Sequence, residues 1–161
     1  MRNYLLILIG VFFACCSSDN VILAEPTSDS KIVKDTKETS TTMTINITIG
    51  NVTNEIKLVD NVATKALFTK LQEGPITLSL NTNGNFEIWG ALGFSLPTAN
   101  EYINGQPGDV VLYSGSNICI FYGTNSYSYT RLGKINGLSA DELKTFLKGG
   151  HNNITVKLSL P

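Results

Sequence analysis

Histidine is nearly absent from this sequence, because His151 is the only one among 161 residues. The sequence therefore lacks the residues for a metal site built from several histidines. It also lacks the parts of a Ser-His-Asp triad. His151 stands in the segment GGHNN, between two predicted elements of secondary structure, and we interpret it as a solvated turn residue. We expect neither a metal site nor a catalytic histidine.

The sequence also lacks an excess of charge of either sign. Its 12 Lys and Arg residues stand against 13 Asp and Glu, the formal net charge is −1, and the basic residues are scattered along the chain. Nucleic-acid-binding proteins usually carry a basic stripe or patch, so nucleic acid is not an expected partner. The glycines of GNFEIWGALG, residues 84–93, have no Lys-Ser or Lys-Thr pair after them, and we interpret them as turn residues and not as a phosphate loop.

Cysteine is scarce, and its three positions fall into two groups. Cys15 and Cys16 end an apolar run near the N-terminus, whereas Cys119 stands alone in the strand-like segment NICIFY. If the first two are removed or acylated, the folded part keeps one cysteine and can form no internal disulfide. We interpret Cys119 as a small buried apolar residue and not as a reactive thiol.

Residues 1–16 resemble the signal of a bacterial lipoprotein. A basic residue precedes the apolar run YLLILIGVFFACC, which is short for a transmembrane helix but suits the apolar part of a secretory signal. A small residue precedes Cys15 and Cys16, and either cysteine could be the acylated one. We therefore expect an exported protein, anchored in a membrane of a bacterial cell envelope by an N-terminal lipid. The alternative is an ordinary signal peptide cut later, for instance after Ala24, which would leave a secreted or periplasmic protein.

Residues 17–41 are rich in Ser, Thr, Asp, Lys and Glu and contain few apolar residues. Such a segment cannot bury enough apolar surface to fold alone, so we predict a disordered tether. The remaining residues, 42–161, number about 120, which is enough to bury a single adequate core. The sequence thus predicts a signal segment, a tether and one folded domain.

Strand-like segments dominate the predicted domain. Residues 43–49 and 55–59 alternate apolar with polar residues around a turn at 50–54, which is typical of a β-hairpin. The runs 108–123 and 126–135 are crowded with apolar and β-branched residues and punctuated by glycines. Their spacing favours consecutive strands of a closed antiparallel sheet.

Two short helices are expected among these strands. The first, at 61–71, has apolar residues at helical spacing, and Asp60 or Asn61 can cap its start. The second lies within 138–150, where Ser139 is followed three residues later by a glutamate, as in a capping box.

The segment YTRLGKI, residues 129–135, resembles the bacterial cyclophilin-like fold family. In cyclophilins a strand ending in H-V-V-F-G-K-V leads into a helix and a closing strand, and here a helix and the alternating strand 153–160 follow in the same way. The whole order over 42–161 is that of a cyclophilin: two strands, a helix, a strand at 76–80, further strands, a helix and a last strand. The resemblance implies a mainly β fold, a closed antiparallel cyclophilin-like β-barrel with two short helices.

The resemblance also invites comparison with the cyclophilin active site. In that family an arginine in F-H-R-V polarises the prolyl amide, and a glutamine in F-M-x-Q-G helps to hold the peptide. The corresponding region here, FEIWGALGFSLP at 86–97, contains neither residue, and Tyr129 stands where the family has a later histidine. We therefore predict no catalytic residues; the alternative is a prolyl isomerase with a rearranged site, for which Arg131 is the nearby candidate.

Six residues make up the candidate ligand groove. Tyr127, Tyr129 and Arg131 alternate along one predicted strand and should share a face, which would suit an anionic or carbonyl-bearing ligand. The interpretation that we prefer for Arg131 is an ion pair with a carboxylate such as Glu87 or Asp109. Trp89 and Phe94 could belong to the core or to the wall of a groove, and we prefer the core. The complete candidate set is Glu87, Trp89, Phe94, Tyr127, Tyr129 and Arg131.

The predicted function is that of a membrane-tethered cyclophilin-like domain that binds an unknown peptide or small ligand, or acts as an interaction module. No cofactor is expected. If the groove residues were scattered into the core, a purely structural envelope protein would be the remaining interpretation.

Lipidation of the N-terminus is the first testable prediction. We expect the mature chain to begin at an acylated Cys15 or Cys16 and to carry several acyl chains, because a single chain anchors a protein only weakly. Mass spectrometry of the mature N-terminus measures this directly. An unmodified terminus at Glu25, or a soluble protein unaffected by changing both cysteines to serine, would contradict the prediction.

Overall fold

The structure, a computed structural model, describes residues 43–161. The predicted signal segment, with Cys15 and Cys16, and the predicted tether lie outside the described residues. Within 43–161, no helix has both the length and the apolar composition needed to cross a membrane. The described elements are β1 (Thr44–Ile49), β2 (Val52–Leu58), α1 (Val62–Gln72), β3 (Ile76–Asn83), β4 (Glu87–Ala91), β5 (Glu101–Gly105), β6 (Asp109–Tyr113), β7 (Asn117–Phe121), β8 (Asn125–Ile135), α2 (Ala140–Phe146) and β9 (Ile154–Ser159).

Eight of the described strands close into an antiparallel barrel. Their order is β2-β1-β9-β3-β4-β7-β6-β8, and β8 pairs back with β2. At this closure Ile56 lies opposite Ile135, and Leu58 lies opposite Gly133. The mainly β, closed antiparallel barrel with two short helices that the sequence predicted is confirmed.

Strand β8 is long enough to extend beyond the barrel. Its first five residues, 125–129, pair with β5, the one described strand that is not part of the barrel. Glu101 lies opposite Tyr129, and Gly105 lies opposite Asn125. Its later residues pair with β6 and β2. We call β5 together with residues 125–129 the β5–β8 arm. The same strand therefore closes the barrel and builds the arm.

Two apolar clusters lie on the two faces of β6 and β7. Val110 and Ile120 belong to the main cluster, to which both helices also contribute. The neighbouring Val111, Cys119 and Phe121 point to the opposite face and pack with two residues of the arm, Ile103 and Tyr129. Because the arm covers their outer face, β6 and β7 are buried on both sides, which explains why their sequences are apolar at nearly every position. Cys119 is buried and free, as predicted.

Local sequence determines where the helices and the first hairpin begin. Asn61 caps α1 and Ser139 caps α2, each through a capping box with the residue three positions later. The first hairpin turns more tightly than predicted, because β2 already starts at Val52 and only two residues form the turn. Gly50 makes this possible with a φ of 60°, a left-handed conformation that suits two-residue hairpin loops.

The prediction that the glycines of residues 84–93 are turn residues is wrong for one of them, Gly90. Residues 84–86 do turn, but 87–91 form β4, which pairs with both β3 and β7. Gly90 lies within this strand, and a Cβ there would come within 2.8 Å of a Leu80 side-chain carbon and of the Ser79 carbonyl oxygen. The glycine is therefore needed for a close approach of two strands and not for a turn.

Barrel closure supplies the second testable prediction. Gly133 has no room for a side chain, because a Cβ there would collide with the Lys57 carbonyl oxygen on β2. We expect Gly133→Ala to lower the free energy of unfolding by about 1 to 3 kcal/mol, as overpacking does. Urea denaturation measures the change. The control is Ser128→Ala on the exposed part of the same strand, and equal stability of the two variants would contradict the account of closure.

Candidate functional site

A cavity of about 360 Å³ lies on the outer face of the barrel, beside the β5–β8 arm. Strand β4 contributes Glu87 and Trp89, which flank Ile88, a residue of the main core. Trp89 lies opposite Cys119 of β7, so β4 and β7 form one wall. The lining residues come from five strands: Asn83, Glu87, Trp89, Tyr113, Cys119, Asn125, Tyr127 and Tyr129.

Three tyrosines from β6 and β8 pack against one another at this cavity. The ring centroids of Tyr113, Tyr127 and Tyr129 lie 5.7 to 6.1 Å apart, and the rings meet edge to face. Tyr129 is buried and its hydroxyl accepts a 2.8 Å hydrogen bond from the Asn125 amide, whereas Tyr127 is 52% exposed. Trp89 is 37% exposed. The cavity therefore combines a rigid inner tyrosine with aromatic surface that a ligand can reach.

Glu87 is a buried acid at the same cavity, with only 3% of its surface exposed. Its Oε1 accepts a 2.8 Å hydrogen bond from the Asn83 side-chain amide. Its Oε2 is buried and accepts no hydrogen bond from a nitrogen or oxygen donor among the described residues, although the Cys119 thiol, a weak donor, lies beside this carboxyl. A buried polar atom without a strong partner costs free energy, so this oxygen is a position where an added hydrogen-bond donor would be stabilising.

The surroundings of Glu87 alter the ionisation of three groups. Burial raises the pKa of the Glu87 carboxyl, and the Asn83 amide and Cys119 thiol offset only part of this effect. Burial, with the negative charge of Glu87, raises the pKa of Tyr129 to about 12. The same two causes raise the pKa of the Cys119 thiol, which stays protonated at neutral pH. A thiol in this state is a poor nucleophile, so the cavity favours binding over covalent chemistry through Cys119.

The structure brings four of the six predicted groove residues together at this cavity: Glu87, Trp89, Tyr127 and Tyr129. Phe94 is instead partly buried against the main core, as the preferred interpretation had it. For Trp89 the preferred interpretation was wrong, because its side chain is part of the cavity wall.

Arg131 does not line this cavity. Its Nη1 lies 3.4 Å from Oδ2 of Asp109, and its Nε lies 3.6 Å from Oε1 of Glu101. Asp109 also pairs with Lys134 at 3.1 Å, and its side chain is 5% exposed. A buried carboxylate needs such partners, which explains why Arg131 turns to Asp109 and away from the tyrosines. The predicted aromatic-cationic patch is therefore corrected: the preferred ion pair with Asp109 is present.

Four lining residues were not among the predicted ones: Asn83, Tyr113, Cys119 and Asn125. Strand alternation indicates the position of two of them, because Tyr113 lies on the same face of β6 as Val111, and Cys119 lies on the same face of β7 as Phe121. Both faces of these strands are apolar, so a covering element outside the barrel could have been anticipated. Among the described residues, no group of three or more His, Cys, Asp or Glu side chains could hold a metal ion.

Comparison with known proteins identifies relatives of this barrel. A sequence profile of the cyclophilin-like family matches residues 47–159. The solution structure of a hypothetical protein from Archaeoglobus fulgidus is similar with a TM-score of 0.57 and 19% sequence identity, over 78% of this chain and 99% of that one. At this identity the likeness shows the fold alone. No curated protein matches the chain.

The raised pKa of Glu87 gives the third testable prediction. The folded protein holds the Glu87 proton more tightly than the unfolded chain, so stability falls as pH rises above the ordinary value of 4.5 and through the folded pKa. Glu87→Gln removes the charge and keeps an oxygen for Asn83. We expect equal stability of the two proteins at pH 4 and an advantage for the variant on the order of 1 kcal/mol at pH 8.

Urea denaturation of both proteins across this pH range measures the difference. Glu55→Gln is the matched control, because Glu55 is exposed on β2. A difference between Glu87→Gln and the parent that stays constant with pH would show that the Glu87 carboxyl is not destabilised by its surroundings.

Proposed function

This chain belongs to the cyclophilin-like family, and on that premise we propose that its barrel is a binding module. The ligand is a small molecule or one side chain of a peptide, and it occupies the cavity between Glu87, Trp89 and the tyrosines. The observation that carries the proposal is the buried carboxyl of Glu87, which lines a cavity with accessible aromatic walls and whose Oε2 accepts no hydrogen bond from a nitrogen or oxygen donor among the described residues.

The size and lining of the cavity support this function. A volume of about 360 Å³ lies at the lower end of the range for small-molecule sites. Such sites usually combine aromatic walls with a few placed polar groups, here Glu87, Asn83 and Asn125. Tyr127 and Trp89 can lose exposed apolar surface when a ligand enters, and Oε2 of Glu87 can accept a stronger hydrogen bond than a thiol provides.

The arrangement supports binding better than prolyl isomerisation. Isomerisation requires a positioned donor at the twisting amide, because the barrier to rotation is about 18 to 20 kcal/mol. Arg131, the candidate donor, is held by Asp109 and Glu101 outside the cavity. The cavity itself offers a carboxyl and tyrosine hydroxyls, which suit recognition of a ligand.

We also propose that the domain is exported and held at a membrane of the cell envelope by a lipid on Cys15 or Cys16. This part rests on the sequence of residues 1–16 alone. A tethered binding module would meet ligands outside the cytoplasm, whether free small molecules or segments of other envelope proteins.

Intrinsic fluorescence gives the fourth testable prediction, because Trp89 is the only tryptophan of the chain and lies in the cavity wall. In a small-molecule and peptide screen with the full chain, we expect a subset of compounds to change Trp89 emission in a saturable way. Tyr127→Ala should weaken the binding of these compounds about tenfold, since it removes an accessible wall of the cavity.

The matched control is Tyr102→Ala. Tyr102 is 79% exposed on β5, in the same arm but outside the cavity lining, so its removal should leave binding unchanged. Equal loss of affinity in both variants, or no saturable change with any compound, would contradict the proposed site. Acceleration of prolyl isomerisation that is lost in Arg131→Ala would favour the enzyme.

A further inference from the structure

We propose that the ligand group bound at this cavity is an alkylammonium, a protonated amine on a short apolar stem. The inference rests on the binding function proposed above and names the chemical class of the ligand. It depends on three features: the charge of the lining residues, the free oxygen of Glu87, and the arrangement of the aromatic rings.

The charge of the cavity is of one sign. Among the described lining residues Glu87 is the only acid, and none is Lys, Arg or His. The polar groups that remain are neutral amides, tyrosine hydroxyls and a thiol. The bases on the other part of β8, Arg131 and Lys134, are both paired with Asp109. An anionic ligand would find no positive partner here, whereas a cation would find a buried carboxylate.

The hydrogen bonding of Glu87 favours a donor that also carries charge. Oε1 accepts from the Asn83 amide, whereas Oε2 accepts from no nitrogen or oxygen donor among the described residues and has only the weakly donating Cys119 thiol beside its carboxyl, so Oε2 is the oxygen for which a ligand can supply a strong donor. An ammonium N–H can donate to this oxygen and at the same time compensate its charge, which a neutral donor cannot do. A quaternary ammonium lacks the N–H. The free oxygen therefore favours an amine that keeps at least one N–H over a fully methylated one.

The aromatic walls favour the same class of group. Tyr113, Tyr127 and Tyr129 lie in mutual contact, and Trp89 belongs to the same lining. Aromatic faces attract cations electrostatically, tryptophan most strongly, and they also cover the apolar stem of an amine. Because Tyr127 and Trp89 are the accessible members of the set, the stem can reach toward solvent past them. A lysine side chain of a peptide has this chemistry, as does a free alkylamine.

The test titrates the full chain with three probes of matched size, followed by Trp89 fluorescence at constant ionic strength. The probes are n-butylammonium, butan-1-ol and butyrate. We expect saturable binding of n-butylammonium, binding of the alcohol at least tenfold weaker, and no binding of butyrate. A fourth probe, tetramethylammonium, should also bind more weakly than n-butylammonium, because it cannot donate to Oε2.

The decisive variant is Glu87→Gln, which removes the charge and keeps the shape of the side chain. It should weaken n-butylammonium binding at least tenfold and leave the alcohol unaffected, whereas Glu55→Gln on β2 should change neither. Circular dichroism of each variant checks that the barrel is folded. A Tyr127→Phe variant provides a second comparison, since it keeps the aromatic ring and should retain most of the affinity for the ammonium.

Three results would overturn the inference. One is equal binding of the alcohol and the ammonium; another is unchanged ammonium affinity in Glu87→Gln; the third is no ammonium binding while other compounds of the screen still change Trp89 emission. In each case the cavity would still be a binding site, and only the recognition of an ammonium through Glu87 would fail. If no compound of any class bound, both proposals would fail together.

Discussion

The need to bury both faces of β6 and β7 is the constraint on which the rest of the structure depends. Val110 and Ile120 face the barrel interior, while Val111 and Phe121 face outward with equal apolar character. A barrel alone covers only one of these faces. The β5–β8 arm covers the other, and two of its tyrosines, Tyr127 and Tyr129, line the cavity beside β4 and β7. The candidate site is thus a consequence of how the second apolar face is covered.

Strand β8 connects this covering to the barrel. Its end pairs with β2 and closes the barrel, its middle pairs with β6, and its beginning forms the arm. The register with β6 shifts between Val110 and Val111, where Leu132 is left without a partner in that ladder. Such an irregularity bends a strand and lets its two halves serve different sheets. Asp109 holds the region beside this shift through Arg131 and Lys134. The tyrosines of the arm are therefore positioned by the same strand that closes the barrel.

Much of the fold follows from local patterns. The capping box at Ser139, the helix start at Asn61 and the glycine-punctuated apolar runs are all short-range signals, and the structure confirms the elements that they predict. The shared face of Tyr127 and Tyr129 also follows from strand alternation. The role of Gly90 does not, because a glycine in a turn and a glycine at a close strand approach look alike in one sequence.

Alternation indicates which strand face Tyr113 and Cys119 occupy, but it could not predict which residues share the cavity, because that depends on which strands become neighbours. Asn83 and Glu87 face each other across a hairpin, but Cys119 and Tyr113 reach the cavity only through the order β4-β7-β6. Arg131 shows the same limit. Strand alternation predicts that Arg131 shares a face with Tyr127 and Tyr129. Its side chain instead pairs with Asp109, a tertiary contact that alternation cannot predict. The structure thereby leaves Glu87 as the charged residue of the cavity lining, whereas the candidate groove had contained both Glu87 and Arg131.

The central claim is that the free oxygen of Glu87 is the point at which a ligand is recognised. The most direct measurement is a titration of the full chain, with carboxyl carbons of glutamate labelled with ¹³C and observed by NMR, against a compound that changes Trp89 emission. The account predicts that the Glu87 carboxyl resonance shifts in a saturable way, with the same midpoint as the fluorescence, while that of the exposed Glu55 stays in place. A Glu87 resonance that does not move while the compound binds would contradict it.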